Sequence, residues 1–177
     1  MTPNSQQSIS AKKVYEAIAE GLPLNDLIIY GDLEINGDED FENPLIIENC
    51  IVENLKCMMV RFIKPVIFKS CHFKDASFSF CYFIKGLLIE DCIFDKDLDF
   101  QAGGHNELEH PILFSNNEFK GFVNFCDCWF NGEIVFNNNK FNTGTNIESK
   151  RQYLTFDIPL LMINNSGLTN IESEYRE

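Results

Sequence analysis

An apolar column recurs through this 177-residue chain at Ile47, Phe68, Ile89, Phe114, Phe136 and Ile163, at intervals of 21, 21, 25, 22 and 27 residues. Five residues after each member stands a second apolar residue: Val52, Phe73, Phe94, Phe119, Phe141 and Leu168. A helix repeats near 3.6 residues and a strand at 2, and neither places an apolar residue at every fifth position. Very short strands joined by tight turns do. A period of about this length, lengthened at two places, reads as structural units stacked on one another, each burying an apolar face against the next.

Three further columns keep the same beat. Small or amide-bearing residues lie two before the second column, at Cys50, Cys71, Cys92, Asn117, Asn139 and Ser166. Turn-forming residues precede them at Asn49, Ser70, Asp91, Asn116, Asn138 and Asn165. Phe62, Phe83 and Phe130 fill another slot, with Val60, Cys81 and Cys128 two before, and a less regular slot runs through Cys57, Phe78, Phe100 and Phe125. Four slots of about five residues make one square turn of about 21 residues. The fold expected is all-β, a parallel β-helix of about six square coils over residues 26–171. Residues 1–25 are expected to form a disordered tail plus a short capping helix over 10–20, with Ser10 as N-cap and Val14, Ile18 and Leu22 on one stripe. Residues 172–177 read as a polar tail. The surplus residues fall at 101–110 and 143–152, read as loops extruded from corners, which cost little closure entropy.

The stretches CIV (50–52), CHF (71–73), ASF (76–78), CYF (81–83), CIF (92–94) and CWF (128–130) resemble the pentapeptide-repeat family, in which a small residue stands two before a central Leu or Phe. That resemblance spans about residues 45–142 and implies a right-handed quadrilateral β-helix. The chain departs from the family just before the central residue. Where Asp or Asn is usual, it has Ile51, His72, Tyr82, Ile93, Glu118, Trp129 and Lys140.

Stacked coils sit about 4.8 Å apart, so the lumen is lined by ladders of like residues. Phe68, Phe73, Phe83, Phe94, Phe114, Phe119, Phe130, Phe136 and Phe141, with Cys50, Cys71 and Cys92 beside them, are the expected core. All seven cysteines read as reduced, buried thiols, because none has the spacing of a metal site and thiols in a dry interior are inert. A net charge of −13 disfavours direct nucleic-acid binding. The first ten residues lack a basic start and an apolar run, and no apolar stretch has spanning length, so a cytoplasmic protein without membrane attachment is expected.

Function is sought on the outside. Ile51, Tyr82, Ile93 and Trp129 are apolar residues at outward positions and form the candidate interface. Charge is also segregated: eleven acids and no Lys or Arg between residues 14 and 55, then six cations and one acid, Asp75, from 56 to 85. The leading expectation is a non-enzymatic solenoid that binds a protein partner through a wall or a terminal coil, with no cofactor. The apolar run 158–163 marks an open terminal coil through which a homodimer would form. The family resemblance implies an alternative, an acidic DNA mimic directed at DNA gyrase, against which the basic middle argues. A third reading is a carbohydrate-active β-helix enzyme using His105, Glu107, Glu109 and His110, the one group that resembles a site.

Overall fold

The computed structural model describes residues 6–37 and 40–172. Of the tail expected at 172–177 all but residue 172 lies outside the described residues, as do residues 1–5 of the expected N-terminal tail. The chain winds as a parallel β-solenoid of about seven coils with one short helix. Strands Leu24–Asn25, Leu45–Glu48, Val66–Lys69, Leu87–Glu90, Ile112–Ser115, Ile134–Asn137 and Leu161–Ile163 form the first wall, each pairing with the next. The second wall continues from Ile51 and Val52 through His72–Phe73, Ile93–Phe94, Glu118–Phe119 and Lys140–Phe141. The third runs from 55–58 through Ala76–Ser79, Leu98–Asp99 and Val123–Asn124. The fourth holds Asp40–Phe41, Arg61–Phe62, Tyr82–Phe83, Trp129–Phe130 and Thr155–Phe156, with Gly104 bridging its middle.

Register between coils turns each sequence column into a stack. Phe73, Phe94, Phe119 and Phe141 stack with centroids 4.9, 5.3 and 5.1 Å apart and interplanar angles of 18° or less. Phe78, Phe100 and Phe125 stack at 5.3 and 5.1 Å. Rings of neighbouring columns meet edge to face, as Phe100 and Phe114 do at 88°, so the quadrupoles are satisfied in both directions. All nine expected core Phe residues are buried.

Corners are set by left-handed residues. Asn49, Ser70, Asp91, Asn116 and Asn138 each have φ between 50° and 57°, a conformation that short polar side chains tolerate. The small column just after them changes chemistry halfway along. Cys50 and Cys71 direct their thiols to the carbonyls of Leu24 and Ile47. Beyond them Asn117 and Asn139 donate through Nδ2 to the carbonyls of Ile89 and Phe114. Each of these asparagines also donates to the amide oxygen of the next, Asn117 to Asn139 at 2.9 Å and Asn139 to Asn165 at 3.0 Å. A buried amide is tolerated here because its partners repeat with the coil.

Several expectations are corrected. Residues 7–10 are a strand, not a tail: Gln7–Ser10 pairs in parallel with residues 27–30. The helix Ala11–Ala19 then closes the first coil with Ala11, Val14 and Ile18, while Leu22 is 51% exposed and off the buried stripe. Ser10 occupies the N-cap in extended conformation without a side-chain cap bond. The first rung is Leu24–Asn25, so the solenoid begins before residue 26 and gains a coil. In the last coil Phe136 pairs with Met162, not Ile163, and the amide ladder ends at Asn165, not Ser166. The same one-residue shift places Gly167 under Phe141, where any Cβ would lie 2.1 Å from the Phe141 carbonyl oxygen, and leaves Leu168 exposed.

Both insertions are shorter than expected. Gln101 to Glu107 stay bonded to the adjoining coils, with Ala102 at a corner, and only 108–110 departs. Thr145, Asn146 and Ile147 are buried rungs of the third wall, which confines the second excursion to 148–152.

Phe119→Ala removes a ring stacked on both sides and should lower the unfolding free energy by about 3–5 kcal/mol. Phe156→Ala, in a half-covered ring stacked on one side only, should cost about half that. Urea titration of both variants checks the ordering. Burial pushes the thiols of Cys57 and Cys128 up and that of Cys81 up to about 12, from 9.0. The folded chain thus keeps protons that the unfolded chain releases. Stability should be intact below pH 9 and fall as pH rises toward about 12, with a shallower slope in Cys81→Ala.

Candidate functional site

The lumen is filled, so chemistry must act from the outward columns, and register defines these. On the first wall the outward residues are Ile46, Ile67, Leu88, Leu113, Val135 and Leu161, paired rung by rung without interruption. Their rungs read LII, VIF, LLI, ILF, IVF and LLM, three apolar residues in succession. Such runs are the pattern of parallel strands covered on both faces. Along this column Ile46, Ile67, Leu88, Leu113 and Val135 are half-buried and Leu161 is 41% exposed. A polar column two residues on, Glu48, Lys69, Glu90, Ser115 and Asn137, borders the stripe, and Lys69 and Glu90 pair at 3.3 Å.

The fourth wall carries a second apolar column, which Gly104 makes possible. Its bridges to Tyr82 and Trp129 put Gly104 at the outward position between them, with φ of 99° and no room for a Cβ, which would lie 2.4 Å from the Trp129 carbonyl oxygen. His105, also left-handed at φ 55°, brings its imidazole between the two rings instead. Its centroid is 4.1 Å from Tyr82 and 5.7 Å from Trp129. Burial pushes the His105 pKa down, so the middle rung is an uncharged ring at neutral pH. With no Phe in this rung of the fourth wall, a cavity of about 10 Å³ remains between Phe83, Gly104 and Phe130. Trp129, 46% exposed, donates its indole N–H to Asp157 at 3.1 Å.

Beside this wall the corner residues Met59, Phe80 and Tyr153 all have positive φ, at 55°, 58° and 54°, and all are exposed. Bulky side chains avoid this conformation, yet here the backbone N–H of Phe80 donates to the Gln101 carbonyl one coil on, at 2.7 Å. The register between coils imposes the angle whatever the side chain.

The four expected interface residues do not form one cluster. Tyr82 and Trp129 meet through His105 on the fourth wall, whereas Ile51 and Ile93 flank His72 on the second. That wall is mixed: His72 and Lys120 both contact Asp95, at 2.8 and 2.7 Å, and Lys140 pairs with Glu118. The Lys120 and His72 bonds hold the Asp95 carboxyl below its ordinary range. The basic band is partly neutralised by adjoining coils, through Arg61 with Asp40, Lys69 with Glu90 and Lys85 with Glu107.

In the 105–110 loop, Glu107 lies 2.5 Å from Lys85 and 3.7 Å from His110. The Lys85 ammonium keeps its carboxyl below the usual range, suiting a standing ion pair rather than a proton donor. Asn106, fully buried, ties the loop down by donating to the carbonyls of His110 and Glu133. No group of three or more metal-ligating side chains occurs among the described residues. Sequence reasoning missed the first-wall stripe, His105 as an aromatic rung, and the apolar corners. The triple apolar runs were the available signal for the first.

Compared with protein-family models, with curated proteins and with solved structures, the chain matches none of them.

Phe80→Asn should leave stability unchanged or raise it by about 1 kcal/mol, since Asn accepts a left-handed backbone at lower cost. Gly104→Ala should lose more than about 2 kcal/mol, by clash and positive φ together. Equilibrium unfolding of the two variants in parallel checks both signs.

Proposed function

We propose that the protein is a non-enzymatic docking scaffold whose first wall binds a protein partner, and that it is a divergent pentapeptide-repeat protein of the cytoplasm. One observation carries the reading: the unbroken aliphatic column Ile46, Ile67, Leu88, Leu113, Val135 and Leu161 on a flat wall. Contiguous apolar surface left in water is a standing cost, and on a folded protein it marks an interaction site. A flat sheet face accepts a second sheet about 10 Å away or an amphipathic helix laid along it. The proposed occupant is a protein, because the column beside the stripe, Glu48, Lys69, Glu90, Ser115 and Asn137, offers charges of both signs and hydrogen-bonding groups for a polar rim. A DNA mimic needs acids along a whole wall. The outward columns here place aliphatics, aromatics and cations between the acids, which favours the docking reading.

A second reading concerns the last coil, where Leu154, Phe156, Leu160 and Met162 are only partly buried although they pack on the core. These residues favour a homodimer through the C-terminal coil. Sedimentation that stays monomeric at high concentration would remove it.

For the first wall, the double variant Leu88→Glu, Leu113→Glu should keep the thermal midpoint within a few degrees, because both side chains point outward. Affinity capture from the source cell should then lose a partner that the wild-type chain retains in stoichiometric amount. Equal retention by both chains would sink the reading.

A further inference from the structure

We propose that the fourth wall is a separate binding site for an extended proline-rich segment in the polyproline II conformation, with a cationic residue beyond its prolines. The site is the ladder Tyr82, His105, Trp129, continuous at ring separations of 4.1 and 5.7 Å. Phe80 borders it on the corner side. The 105–109 loop stands on the other side, where His105, Asn106, Glu107, Leu108, Glu109 and Asn131 line an open trough of about 440 Å³.

Spacing selects the conformation. Tyr82 and Trp129 are two rungs apart, about 9.6 Å at the coil repeat. A polyproline II helix rises about 3.1 Å per residue with three residues per turn, so side chains at i and i+3 repeat at about 9.3 Å. Same-side residues of a β-strand repeat at about 6.8 Å, which fits neither one rung nor two. Prolines at i and i+3 therefore lie on Tyr82 and Trp129 together, with the His105 ring beneath the intervening turn. Such a segment has no internal hydrogen bonds and arrives already stiff, so aromatic contact is gained at little entropic cost.

Charge sets the flank. The cations bordering the ladder are engaged, Arg61 by Asp40 and Lys85 by Glu107, each at 2.5 Å. Trp129 lies between Asp127 at the corner and Asp157, and neither acid has an ion pair among the described residues. An arginine or lysine past the second proline meets the indole and these carboxylates together.

Trp129 is the single tryptophan of the chain, so its emission reports this site. The test titrates the full chain, by fluorescence and by calorimetry, with three peptides: decaproline ending in two arginines, decaproline ending in two glutamates, and a Gly/Ser peptide ending in two arginines. The first should bind saturably below about 1 mM, and the second about tenfold more weakly. The third should not bind. Tyr82→Ala should lose about tenfold in affinity at an unchanged thermal midpoint. Leu88→Glu, on the first wall, should bind as the wild type does, so failure here is separate from failure of first-wall docking. Three results would overturn the proposal: no saturable binding of the first peptide, equal binding of the third, or full binding by Tyr82→Ala.

Discussion

Everything in this molecule follows from backbone hydrogen bonding in register between one coil and the next. A parallel strand pair repeats about every 4.8 Å and places like position over like position. Once Leu45–Glu48 pairs with Val66–Lys69 and that with Leu87–Glu90, every other column is obliged to stack. Phe meets Phe face to face, and asparagine amides chain to one another. The same constraint holds Met59, Phe80 and Tyr153 at left-handed corners that their side chains would not choose.

Stacking also divides the labour between the two faces of each strand. Inward positions admit only residues that fit a narrow dry lumen, which explains why Cys and Phe recur there and why burial pushes up the pKa of the Cys57, Cys81 and Cys128 thiols. Outward positions are free of that demand. Where they are nevertheless apolar on rung after rung, as on the first wall, or aromatic on three successive rungs, as on the fourth, the lumen provides no reason for it. The reason must lie in what the wall meets.

The inward columns were legible because they are periodic and chemically uniform. Phe73, Phe94, Phe119 and Phe141 could be named from spacing alone, and so could the turn column at Asn49, Ser70, Asp91, Asn116 and Asn138. Legibility failed where the period was interrupted. Residues 148–152 hide the count, and with adjacent apolar residues at 160–163 nothing in the sequence distinguished Met162 from Ile163 as the inward one. Asn106, Thr145 and Asn146 are polar and so read as loop, yet each is buried and paired. The first-wall stripe was obscured because in LII or VIF the inward pair dominates the pattern and the residue between them goes unnoticed. His105 was unreadable as a rung, since its position depends on a backbone angle and on a glycine next to it.

The stacking itself is open to a direct distance measurement. Asn25 and Asn137 lie on the same outward column, five rungs apart through Glu48, Lys69, Glu90 and Ser115. Spin labels on cysteines introduced at these two positions, with the seven native thiols buried, report the separation by dipolar spectroscopy. A coil repeat of about 4.8 Å predicts a backbone separation of about 24 Å, broadened by the label tethers. A distribution centred beyond about 40 Å would mean that these rungs do not stack, and would contradict the architecture on which both walls depend.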